Sequence, residues 1–183
     1  MSEVHTTSPT PGTDRPIPAA GRLLRTVRGL ALLSSGLLAG ALGYGAVNVV
    51  QTFKVVPLDV RLTFHSALMR MNGPVVQTTM GLALVGSVAL AVLHRGRLRL
   101  LAASAGALVL TSFLVTRFGN VPINARIKVW AVSSVPPEHA ELLRRWEMFN
   151  LVRTVAALAA FVLVVLVVDL AAPARTGRTS ADA

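Results

Sequence analysis

Residues 74–116 read PVVQTTMGLALVGSVALAVL, then HRGR, then LRLLAASAGALVLTSFLVT. Two apolar runs flank a short turn that holds Arg95, Arg97 and Arg99. A bilayer core about 30 Å thick needs roughly 20 helical residues, and each run is near that length. Backbone in lipid must satisfy its own hydrogen bonds, so runs of this kind become helices. The turn between them is too short for anything but an antiparallel pair. Two further apolar runs, Gly29 to Val50 and Leu151 to Leu170, lie on either side. The reading is an all-α fold: an integral membrane, antiparallel four-helix bundle with a long helical outer loop between helices three and four.

Composition narrows the chemistry. The chain has 183 residues and no Cys, which excludes a disulfide framework, a thiolate nucleophile and Cys-ligated metal. Its formal net charge is +10. The arginines flank apolar runs, which is the pattern of membrane-flanking charge. No basic face with interleaved aromatics occurs, so no nucleic-acid partner is expected. Membrane lipid is the expected surrounding, and the oligomeric state is left open. Gly36 and Gly40 form a small-xxx-small pair in the first run and point to close packing inside the bundle.

Residues 1–28 read as a disordered basic tail, 29–172 as the transmembrane domain and 173–183 as a second disordered tail. Arg22, Arg25 and Arg28 before an apolar run resemble the start of a signal peptide. The run is longer than the roughly 7–15 residues of a signal core, so it reads as a retained anchor. Four spans return the chain to its starting side. The arginine-dense turn at His94 to Arg99 marks that side as cytoplasmic.

The first outer segment, Gln51 to Gly73, reads as a connection, with Pro74 opening the second membrane helix. The second, Arg117 to Asn150, is more patterned. Asn120 is placed to cap a helix that starts at Pro122. Ile123, Ile127 and Trp130 then share one helical face. After Pro136 and Pro137 the apolar Leu142, Leu143, Trp146 and Phe149 run without a breaker into the last span. Trp130 and Trp146 suit the membrane–water boundary.

Polar residues at the edges of apolar runs are the informative exceptions. Asn72, Arg117, Asn120, Asn124, Asn150 and Arg153 all fall at the end of the bundle away from the arginine turn. Trp146, Asn150 and Arg153 share a helical face. Together with Trp130 they form a candidate mouth in which Arg153 meets an anion, the amides orient it, and the tryptophans stack on a ring. A solvated or headgroup-facing role for each remains the alternative. His65 is a weak base candidate. No metal site is expected, because the histidines lack ligand spacing. Dinucleotide, phosphate-loop and nucleophile-elbow motifs are absent.

The elements Asn120-Val121-Pro122-Ile123-Asn124, Trp130, Arg145-Trp146-Glu147 and Asn150-Leu151-Val152-Arg153-Thr154 resemble those of the anthrone-oxygenase-like family. That family comprises small four-helix membrane proteins, most of unassigned function. Leu68-Met69-Arg70-Met71-Asn72-Gly73-Pro74 is similar to its segment before helix two. The resemblance implies that cofactor-independent oxidation of an anthrone-like aromatic is one function to weigh. Such chemistry needs a base and an anion-stabilising group, and no cofactor. Arg153 suits the second role. The position often held by His in relatives is Asn150 here, and an amide is no base. Two functions therefore stand: a non-catalytic protein binding lipid, a hydrophobic aromatic small molecule or a partner at the mouth, and an oxygenase.

Overall fold

A computed structural model describes residues 19–172 of the chain. The helices are α1 (Ala19–Tyr44), α2 (Val50–Val55), α3 (Leu58–Leu93), α4 (Gly96–Leu114), α5 (Val121–Trp130) and α6 (His139–Leu170). A π-helical stretch, Gly45–Val49, joins α1 to α2, and another, Val115–Asn120, joins α4 to α5. The result is four rods, each long and apolar enough to cross a membrane. The first packs on the second and fourth, and the third packs on the same two, which closes a ring. No strand occurs among the described residues. The protein is an all-α, multi-pass membrane bundle.

The rods outrun the apolar runs. At 1.5 Å per residue, the 36 residues of α3 extend about 54 Å, well past a core of about 30 Å. In the second, third and fourth rods the extra length lies at the end away from the His94 turn, the outer end. This corrects the expected connections. Most of Gln51 to Gly73 is helical, and Pro74 sits inside α3 rather than at its start. Pro74 is tolerated there at the cost of one helical hydrogen bond. Pro122 to Trp130 is helical as expected, but it prolongs the third span instead of forming a separate loop helix. Asn120 makes no capping bond and lies within the π turn. The helix from His139 does run unbroken into the last span.

The first helix already begins at Ala19, so residues 19–28 are helical and not tail. The rest of that expected tail, residues 1–18, and the tail expected at 173–183 lie outside the described residues. At the inner end Gly96 has φ +57°, a left-handed conformation that glycine accepts without strain and that lets α4 start one residue after Arg95.

Three buried clusters stack along the bundle. Ala31, Leu90, Ala102, Ala105, Val164 and Val167 form the inner one. Leu38, Leu42, Met80, Ala83, Val109, Ala157 and Ala160 form the middle. Phe53, Leu62, Ile123, Ile127, Trp130, Leu143 and Trp146 dominate the outer one. Small residues set the inner spacing: a Cβ on Gly86 would come 3.0 Å from Ala31 Cα. Gly36 receives the Phe161 ring, whereas Gly40 has nothing near it, so only one of that pair makes a close helix contact.

Candidate functional site

A chamber of about 820 Å³ opens between all four rods where the outer end meets the membrane-spanning part. Both π-helical stretches reach it, through Gly45 and Val49 on one side and Thr116 on the other. A π turn rotates the residues beyond it relative to those before it, and such turns recur at functional sites. Apolar walls come from Leu42, Val49, Leu68 and Val76. The polar lining is Arg70, Asn72, Gln77, Thr116, Asn124, Lys128, Asn150 and Arg153, with Trp146 beside them. Three of these are cations. Among the described residues, no Asp or Glu lines the chamber.

Arg153 is held from within its own helix. Its Nε and Nη2 both donate to Asn150 Oδ1, at 3.1 and 2.7 Å, and Nη1 approaches Thr116 Oγ1 at 3.4 Å. Three and four residues apart are neighbours on a helix, which is why Asn150 and Arg153 meet. The guanidinium has hydrogen-bond acceptors but, among the described residues, no carboxylate within ion-pairing distance. A cation kept out of water needs such acceptors. It keeps its charge available for a ligand because none of its partners is an anion.

Asn124 is held from behind. Its Oδ1 accepts from Trp146 Nε1 at 2.7 Å and lies 3.1 Å from His65 Nε2. His65 is fully buried, stacked on Phe53 at 5.0 Å and edge-on to Trp146 at 4.4 Å between ring centroids. It lies behind Asn124 and does not line the chamber. Asn120, also fully buried, donates through Nδ2 to the Trp146 carbonyl at 3.1 Å. Outside this layer Arg61 pairs with Glu147 at 2.9 Å and stacks over Phe53, while Lys54 reaches the same carboxylate at 3.8 Å. These pairs tie α2 and α3 to α6 across the outer end.

The candidate residues therefore separate into groups. Asn72, Asn124, Trp146, Asn150 and Arg153 line one chamber. Asn120 supports it from the core. Arg117 is exposed and points away. Trp130 and Trp146, expected at the membrane boundary, are instead buried in the outer core, and only Trp146 reaches the chamber. Thr116 and Lys128 also line the chamber and are not among the candidates at the edges of the apolar runs. Thr116, Asn120, Asn124 and Lys128 recur every four residues, a helical-face signal that was there to be read. Arg70 and Phe53 carried no comparable pattern.

Fold and site together define a multi-pass helical membrane protein with a cationic chamber between its rods, at the outer limit of the membrane-spanning part. The anthrone oxygenase family's profile matches residues 60–163, more than half of the 183-residue chain, and the chain belongs to that family. The matched span holds the chamber residues of α3, α5 and α6. No curated protein and no solved structure matches the chain.

Proposed function

We propose that the protein binds a hydrophobic aromatic small molecule as its anion, in the chamber beneath Arg153. One observation carries this reading: Arg70, Lys128 and Arg153 line a space walled by Leu42, Val49, Leu68 and Val76, with no carboxylate lining it among the described residues. A ligand with an apolar body and one anionic oxygen matches both surfaces. Charge-assisted hydrogen bonds from a guanidinium are the strongest such a site can offer. The fluorescent anion 1-anilinonaphthalene-8-sulfonate and the neutral N-phenyl-1-naphthylamine share an aromatic body and differ in charge. In nanodiscs of phosphatidylcholine, with empty discs as the blank, the anion is expected to bind saturably and more tightly. Arg153→Met should weaken it at least tenfold and leave the neutral probe within about twofold. Equal affinity for the two probes, or indifference of the anion to Arg153→Met, would overturn the reading.

Family membership favours a second reading, oxidation of an anthrone-like ligand in the same chamber. The ring CH₂ would lose a proton to water, the resulting enolate would add O₂ and take a proton back as a hydroperoxide, and loss of water would leave the quinone. Arg153 is suited to hold the enolate oxygen. Asn150 is no base, and His65 stands behind Asn124. Oxygen uptake and quinone absorbance on adding anthrone to the discs test this. No rate above empty discs would leave a binding protein.

We also place the arginine-rich end, with Arg95, Arg97 and Arg99, in the cytoplasm of a cell whose surface membrane holds the protein. The chain has no native Cys. An impermeant maleimide on intact cells should label Ser133→Cys and spare Arg97→Cys; the reverse pattern would invert the topology.

A further inference from the structure

The polar atoms behind Asn124 leave little freedom in how that side chain is turned. An indole N–H is a donor and never an acceptor. Trp146 Nε1 lies 2.7 Å from the Asn124 carboxamide, so the atom facing it must be the oxygen. The orientation of an Asn amide is ordinarily ambiguous, and here a donor-only neighbour resolves it. The same oxygen lies 3.1 Å from His65 Nε2, so that nitrogen must carry the proton. His65 Nδ1 is then the bare nitrogen, and it is buried without a hydrogen-bond partner among the described residues. With its oxygen engaged twice from behind, Asn124 has its NH₂ group left, and Asn124 lines the chamber. Phe53 on one face of the imidazole and Trp146 at its edge keep the ring from swinging away.

We propose that His65 and Trp146 are positioning residues for the chamber: they lock the Asn124 carboxamide with its oxygen turned toward them and its NH₂ presented to the ligand as a fixed donor. His65 in this role is a neutral hydrogen-bond donor, not a base. Asn124 and Arg153, on different rods, then supply two donor points to one anionic head. A preset donor favours an oxyanion over a hydroxyl or a bare ring. An amide free to flip would present its oxygen half the time and repel the anion. The lock thus sets selectivity for charge without a further cation. This rests on the chamber reading above, but its test can fail separately.

The test uses the full chain in phosphatidylcholine nanodiscs and the same two naphthalene probes. His65→Phe keeps a ring against Phe53 and removes the donor. His65→Gln puts an amide N–H near the place of Nε2. The expected result is a three- to tenfold loss of anion affinity in His65→Phe, recovery in His65→Gln, and unchanged binding of the neutral probe in both. Trp146→Phe, at a residue that itself lines the chamber, should lower the ratio of anion to neutral affinity as His65→Phe does, and the double variant should lower it more than either. In ¹⁵N-histidine-labelled wild type, His65 should show the Nε2–H tautomer. If His65→Phe keeps the wild-type ratio of anion to neutral affinity, or if His65 is found as the Nδ1–H tautomer, the lock is wrong. Should wild type fail to prefer the anion, the chamber reading falls, and the His65 tautomer in wild type and Trp146→Phe still decides the lock. Should a variant fail to fold, loss of neutral-probe binding reveals it, and the tautomer again decides.

Discussion

At the inner end the rods meet through Ala31, Ala102 and Ala105 with the aliphatic Leu90, Val164 and Val167, and Gly86 is set against Ala31. At the outer end they meet through Phe53, Leu62, Ile127, Trp130 and Trp146. The same four rods use opposite means of cohesion. Between helices in lipid there is no hydrophobic drive, since the tails are as apolar as Leu; close backbone approach supplies the attraction. Where the rods pass beyond the apolar core, burial from water drives packing again, and large aromatic residues contribute most. Charges follow the same division. Arg61, Glu147, Lys54, Glu141, Arg144 and Arg145 form their ion pairs at the outer end. The chamber lies at the seam, where both walls are available: apolar side chains from the spans and fixed polar groups from the outer core.

Trp146→Ala should have the largest effect. It empties the centre of the outer core and removes a donor from Asn124, with an expected loss of about 3–5 kcal/mol. Chemical unfolding in detergent would measure it; a change within about 1 kcal/mol would mean the outer core does not hold the rods together.

A matched pair sharpens the contrast more directly. Leu62 and Leu90 are both buried, at 2% and 0% exposure, in the outer and inner clusters. Leu62→Ala should cost about 2–5 kcal/mol, because it loses both transfer and packing energy. Leu90→Ala should cost clearly less, because its unfolded reference is still in lipid and only packing is lost. Equal losses in the same unfolding experiment would erase the distinction between the two ends.

Gly86→Val tests the inner end on its own terms. The added Cβ meets Ala31 backbone at 3.0 Å, which cannot yield as a flexible side chain would. Overpacking of this kind costs about 1–3 kcal/mol. Gly40→Val, where nothing lies within 4 Å, is the control and should be nearly silent. Similar melting temperatures for the two variants would show that the first and second rods do not need their close approach.

The smallest expected effect is that of Asn120→Leu. Asn120 makes one bond, to the Trp146 carbonyl, and its Oδ1 is buried without a partner. An apolar side chain of similar size removes that unpaired acceptor along with the bond, so the net change should stay within about 1 kcal/mol. A loss of several kcal/mol by thermal unfolding would show that the buried oxygen is engaged by something beyond the chain's own groups.

The sequence by itself determined the membrane bundle. Four apolar runs and an arginine turn are local signals, because the bilayer imposes a length and a hydrogen-bond requirement on each segment separately. It also placed Asn124, Trp146, Asn150 and Arg153 on the side away from the arginine turn, since each lies at or beyond the same edge of an apolar run. The outer half was less legible. Its helices are not set by lipid, so Gln51 to Gly73 looked like a connection, and Pro74 looked like a start. Only the tertiary structure decided that Trp146 is buried instead of interfacial, that Arg117 stands apart, and that His65 backs Asn124 from fifty-nine positions away. Those facts depend on how rods from distant parts of the chain face one another. That geometry is set by packing between helices and by π turns at Gly45–Val49 and Val115–Asn120, for which the sequence carries no periodic sign.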